Sequence, residues 1–153
     1  MNGHSDVPVE EHRCENSPDV DVMGFLQLCA DRRFHACLQK RFQEDAKLDS
    51  PLKYWIHADA GGTPAMAHLT AAPEYCYITK GVKVMGWSAH GNGCGGFPGL
   101  SDDKIREKLE EVAQQNVNKY PKACHFVYFA TVKKEKGAEE MVLYCVKYDK
   151  KAD

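Results

Sequence analysis

The chain has 153 residues, 43% of them apolar and 27% charged, which is ordinary globular composition and enough material for a real core. Twenty Lys and Arg stand against 22 Asp and Glu, so the formal net charge is −2 and no basic excess exists to draw a nucleic acid. The apolar runs are strand-sized, far below the roughly 20 residues a membrane helix requires.

Residues 1–18 read as a polar tail without apolar period, and 19–153 as a single α/β domain. The opening MNGHSDVPVEEH has neither a basic start nor an apolar stretch, so no secretion signal is read there. A cytoplasmic protein is expected, or one of an organellar stroma if a targeting peptide has been removed. The first element spans 20–29. Its nearly continuous apolar run, VMGFLQLC, suits a strand buried on both faces. Asp31-Arg32-Arg33 ends it, and Phe34, Leu38 and Phe42, four apart, predict a helix that Asp49-Ser50-Pro51 stops.

A second strand is predicted over 52–57, running into the turn Ala58-Asp59-Ala60-Gly61-Gly62. Thr63-Pro64 can open a helix with Thr as its cap, and another short helix is expected over 73–79 before Gly81. The third strand is predicted over 82–87. The loop SAHGNGCGGFPG follows, with five glycines in twelve residues, a density that signals tight turns or backbone held close to a ligand. Ser101 caps the next helix, Asp102 and Asp103 favour its dipole, and Ile105, Leu109, Val112 and Val117 form its buried stripe. The chain closes with a hairpin of strands over 125–132 and 141–148 around a charged turn at 133–140. The order β-α-β-α-β-α-β-β predicts a mostly parallel central sheet of about four parallel strands plus an antiparallel C-terminal strand, flanked by helices.

Seven cysteines is an odd count and a high one. With no secretion signal, reduced thiols are the expectation, some buried and some available to a metal. In a parallel sheet ligands gather at the carboxyl ends of strands. Three loops meet that description here, at 29–33, 57–62 and 90–96. Cys29, His90 and Cys94 make a zinc set, since thiolate and imidazole suit Zn²⁺ and three protein ligands leave a fourth position for water. Each residue alone is more simply a buried thiol or a core histidine. Their convergence on neighbouring strand ends is what favours the metal. Asp31 and Arg33 could form an ion pair beside it, the plain alternative being a helix N-terminus with a solvated Arg. Asp59 either contacts the site or merely begins its turn. His57 could relay protons, though a strand-end His is more often structural. Cys37, Cys76, Cys124 and Cys145 read as structural. Tyr54, Trp55 and Tyr128 read as core or interface, because basic interleaving is too weak for a base-stacking platform.

The pattern Cys29-x-Asp31-x-Arg33, followed after two strands by His90 and Cys94-Gly95-Gly96, resembles the β-class carbonic anhydrases. That family carries C-x-D-x-R after its first strand and H-x-x-C-G-G after its third. The resemblance covers roughly 20–148, and includes the closing strand–turn–strand and the Ala60-Gly61-Gly62 turn. It implies one Zn²⁺ per chain on Cys29, His90 and Cys94, with Asp31 and Arg33 as a catalytic dyad. It also implies a zinc-bound hydroxide that attacks CO2 to give bicarbonate, and a homodimer or higher homo-oligomer with its sites near the interface. Three departures stand out. His90 and Cys94 are separated by three residues rather than two, Ala58-Asp59 occupies the family's Arg-Asn position, and the long N-terminal helical arm is missing. A divergent branch fits, such as the limiting-CO2-inducible proteins of algae. The departures keep two other readings open: a same-fold zinc hydrolase for carbonyl sulfide or carbon disulfide, and a non-catalytic zinc-stabilised module whose fourth position is closed by Asp31, Asp59 or Cys37.

Overall fold

The computed structural model describes residues 21–68, 71–135 and 138–148. The described residues form one five-stranded sheet. β1 (Gly24–Cys29) lies between β2 (Tyr54–Asp59) and β3 (Val84–His90), parallel to both. β4 (Cys124–Glu135) runs parallel to β3, and β5 (Ala138–Tyr148) returns antiparallel to β4. This is the α/β architecture expected from the element order, four parallel strands and an antiparallel last one. The tail at 1–18 lies outside the described residues.

All six residues of β1 are buried, as a strand with neighbours on both edges and helices on both faces must be. On one face Leu26, Leu28, Phe126, Tyr128 and Ala130 meet Phe34, Leu38 and Phe42 at and along α1 (His35–Ala46). On the other, Phe25, Met85, Trp87, Val127 and Phe129 meet Ile105, Leu109 and Ala113 of α3 (Asp102–Lys119). Two glycines make room for Phe42. A Cβ on Gly86 would stand 2.8 Å from its ring and 2.7 Å from Leu26, and one on Gly24 would stand 3.2 Å from it. The ring therefore sinks against the backbone of β1 and β3 and docks α1. Lys47, at φ 56°, ends that helix in the left-handed conformation.

Several boundaries differ from the sequence expectations. β1 begins at Gly24 rather than at 20. β2 begins at Tyr54, because Pro51–Lys53 forms a 3-10 turn capped by Ser50. Thr63 does not cap an α-helix. It lies inside the 3-10 helix Thr63–His68, and its hydroxyl accepts from Ser88 N at 2.9 Å. α2 spans Ala71–Ile78. The loop expected from Ser88 onward starts later: Ser88, Ala89 and His90 pair with Tyr128, Phe129 and Ala130, so β3 carries His90 as its last residue. Ser101 caps α3 as expected, accepting from Lys104 N. Its buried row is 105, 109 and 113, with Val112 and Val117 only half-buried, because residues four apart stay in line on the face turned to the sheet. The terminal strands extend to Glu135 and from Ala138, well into the segment expected to be turn. No helix among the described residues is long and apolar enough to cross a membrane.

Phe42→Ala removes a fully buried ring from a slot shaped by two glycines. It should lower unfolding stability by about 3–5 kcal/mol, read as a fall in the urea midpoint without a change in slope.

Candidate metal centre

β1 and β3 are adjacent and parallel, so their carboxyl ends open on the same edge of the sheet. Cys29 ends β1 and His90 ends β3. The short loop after His90 turns back through Asn92 at φ 59° and Gly93 at φ 83°, bringing Cys94 alongside. Cys29, His90 and Cys94 are all buried, and their ligand atoms lie within 4.8 Å of one another. The two sulfurs are 3.9 Å apart. Two thiolates about 2.3 Å from one tetrahedral ion stand about 3.8 Å apart, so the spacing suits a shared cation.

The histidine is set for the same task. His90 Nδ1 pairs with the Gly91 carbonyl at 2.8 Å, a contact in which the ring N–H donates and Nε2 keeps its lone pair. Nε2 is buried, with no hydrogen-bond partner among the described residues. A buried polar atom left unmatched costs about 1–3 kcal/mol, and a metal ion is the simplest group that would satisfy it. Phe34 stacks on the imidazole at a centroid distance of 4.7 Å and fixes its plane. Burial pushes the Cys29 thiol up, but neighbouring His90 and the backbone N–H groups of Asp31 and Gly61 outweigh it and bring it down to about 7. Burial and the nearby Cys29 sulfur hold the Cys94 thiol above its ordinary value.

Backbone packing closes the wall around the cluster. A Cβ on Gly62, itself at φ +61°, would lie 2.7 Å from the Ser88 carbonyl and 3.3 Å from Cys29 N. A Cβ on Gly96 would strike the Gly61 backbone. Gly61 N points at Cys29 Sγ, 3.4 Å away. The glycines of the two loops thus let the strand ends and the 91–96 loop touch backbone to backbone.

Asp31 and Arg33 meet beside the cluster. Asp31 caps the 3-10 turn Arg32–Phe34, accepting from Arg33 N. The guanidinium reaches both carboxylate oxygens, with Nε 3.0 Å and Nη2 2.7 Å from Oδ2. This fork holds the Asp31 carboxyl below the usual carboxylate range. Asp31 Oδ2 stands 3.6 Å from His90 Nε2, so the carboxylate faces the cluster while bound to its arginine.

The other sequence candidates turn elsewhere. Asp59 Oδ1 accepts from Ala60 N at 2.8 Å and starts the turn. His57 Nδ1 pairs with Gln27 Oε1 at 2.8 Å in the body of the sheet. Cys37 donates its thiol to the Phe34 carbonyl on its own helix. Among the described residues, no fourth His, Cys, Asp or Glu atom joins the three donors. Sequence reading took Phe34 only as core and passed over Asn92 and the buried Gln27. An Asn between two glycines is a signal for a left-handed turn and could have drawn attention to Asn92.

A cluster of two thiols and an imidazole could bind a metal, and its affinity must depend on pH. Binding displaces protons from Cys29, brought down to about 7, and from Cys94, held above its ordinary value by burial and the nearby Cys29 sulfur. Zinc affinity should therefore rise with pH from about 6 to 8, and Cys94→Ala should weaken it at every pH, as read by competition with a chromophoric chelator.

No family model matches the chain, and no curated protein matches it. Among solved structures it is similar to β-carbonic anhydrase isoform I of the protozoan Trichomonas vaginalis, at 13% identity and a TM-score of 0.38, over 86% of this chain and 87% of that one.

Proposed function

We propose that the chain is a zinc-dependent carbonic anhydrase, a lyase that reversibly hydrates CO2 to bicarbonate. The observation that carries the reading is the pairing of two features: a buried Cys-His-Cys donor set, and an arginine-bound carboxylate that faces it. Cys29, His90 and Cys94 would hold the ion, one per chain. When bound, zinc supplies a Lewis acid that brings the ionisation of a water into the neutral range, near pKa 7.

The chain's own residues do the rest. Asp31, kept ionised by Arg33, accepts a hydrogen bond from the reacting water and fixes where its remaining lone pair points. Because Arg33 occupies the Asp31 oxygens, the carboxylate is held off the donor set, which supports an open fourth position. The placement of Asp59 on Ala60 and of Cys37 on Phe34 supports the same conclusion against a closed, purely structural zinc.

The decisive measurement is stopped-flow CO2 hydration at about pH 7 to 9 on protein of known zinc content. One zinc per chain with rapid hydration is expected, and Cys29→Ala should lose both. Asp31→Asn should keep zinc and lower kcat/KM by about 10- to 100-fold. Zinc without CO2 turnover, but with sulfide released from carbonyl sulfide or carbon disulfide, would move the assignment to the sulfur substrates. Zinc with no turnover on any of these would leave only a stabilising role.

The proposed partner is a second copy of the chain. Among the described residues β2 is an edge strand with one side unpaired, and it exposes Trp55 and Ile56, at 39% and 45%, on its two faces. Sedimentation should give a dimer, and Trp55→Glu should shift it toward monomer. A wild-type monomer at micromolar concentration would remove this part of the proposal.

A further inference from the structure

The geometry points to Asn92 as a positioning residue that holds Arg33, and through it Asp31, at the cluster. This inference rests on the functional reading above for its consequence in turnover, but the contacts stand by themselves.

Arg33 and Asp31 sit at the surface, with side chains 46% and 23% exposed. An ion pair in that setting is ordinarily mobile and contributes little. Here the far side of the guanidinium is anchored. Nη2 donates to the Gly93 carbonyl at 2.9 Å, and both terminal nitrogens lie 3.3 Å from the Asn92 carbonyl. The fork that binds the carboxylate is therefore held from behind by two consecutive backbone carbonyls.

Those carbonyls point at Arg33 because Asn92 is fixed at every polar atom. Its backbone adopts φ 59°, a conformation that costs most side chains but suits Asn. Its N–H donates to Asp102 Oδ1 at the start of α3. Its side-chain amide closes on one residue of β4: Oδ1 accepts from Val132 N at 2.6 Å, and Nδ2 donates to the Val132 carbonyl at 3.2 Å. Gly91 N still pairs with the Ala130 carbonyl, so the β3–β4 ladder continues past His90 with a side-chain amide standing in for backbone. One residue thus ties the dyad to the long hairpin and to α3, midway between His90 and Cys94.

The test compares Asn92→Gly, which keeps the left-handed backbone and its carbonyl but deletes the amide latch, with Asn92→Asp, which keeps the acceptor for Val132 N and loses the donor. Two readouts are taken on variants that melt cooperatively. The first is the Arg33 Nε–H resonance in proton–nitrogen spectra, assigned by its loss in Arg33→Lys. A rigid, dispersed signal in wild type should collapse to the solvent-exposed position in Asn92→Gly and shift part-way in Asn92→Asp. The second is CO2 hydration with zinc content measured. Zinc should remain at one per chain, kcat should fall about tenfold, and Asn92→Gly should add no further loss in an Arg33→Ala background. An unchanged Arg33 signal, or fully additive losses, would overturn the positioning role. A wild type that binds no zinc or hydrates no CO2, with the Arg33 signal behaving as expected, would overturn the functional reading and leave the positioning intact.

Discussion

Everything at the candidate site depends on a backbone-to-backbone contact between loops that follow different strands. Gly62 lies against the Ser88 carbonyl and the Cys29 amide, and Gly96 lies against Gly61, in spaces where no Cβ fits. A side chain at Gly96 would push the 91–96 loop off Gly61, and with it Cys94, whose sulfur stands 3.9 Å from that of Cys29. The sheet places Cys29 and His90 on adjacent parallel strands at the same edge. The glycine contacts then bring in the third donor, which belongs to no regular element. Gly96 is thus the glycine of this loop whose missing side chain lets a donor from a loop pack against donors from strands.

The same edge of the sheet separates two electrostatic tasks. The donors are buried and would be costly as unmatched polar atoms, as Nε2 of His90 illustrates, which has no hydrogen-bond partner among the described residues. The acid beside them is more exposed and is stabilised by a guanidinium rather than by burial. Had Asp31 lacked its arginine, a carboxylate 3.6 Å from the imidazole would be drawn toward any cation held by the cluster. Arg33 competes for those oxygens. The pairing therefore bears on whether the fourth position stays available, as well as on the ionisation of the acid.

Much of this architecture was legible in the chain because its signals are local or periodic. The apolar run of β1 and the spacing of Phe34, Leu38 and Phe42 declare a buried strand and the helix laid on it. The two ends of β3 were misread for one reason. Val82 and Lys83 looked like strand by composition, whereas Ser88, Ala89 and His90 looked like loop because they lead into glycines, yet pairing with Tyr128, Phe129 and Ala130 decides the matter. Strand ends are set by the partner strand, which no local window contains. Thr63 failed similarly. Its hydroxyl had a better acceptor role toward Ser88 N, across the sheet, than at a helix start. Cys29, Asp31, Arg33, His90 and Cys94 stood out because they converge on neighbouring strand ends, while the separation of Asp59 and Cys37 from them needed coordinates.

Spacing has a limited meaning in such a site, and the three residues between His90 and Cys94 show why. A loop's length matters less than where its ends are held and which of its torsions are left-handed. Here Gly91 is pinned by its bond to Ala130 and by the Asp102 carboxylate behind it. Asn92 and Gly93 both take positive φ, which folds the chain back within two residues. The loop therefore delivers Cys94 to the cluster, and the side chain of its middle residue bonds to Val132 instead of projecting into solvent. A motif written as residue types and intervals is a proxy for donor positions, and the torsions of the intervening residues determine whether the proxy holds.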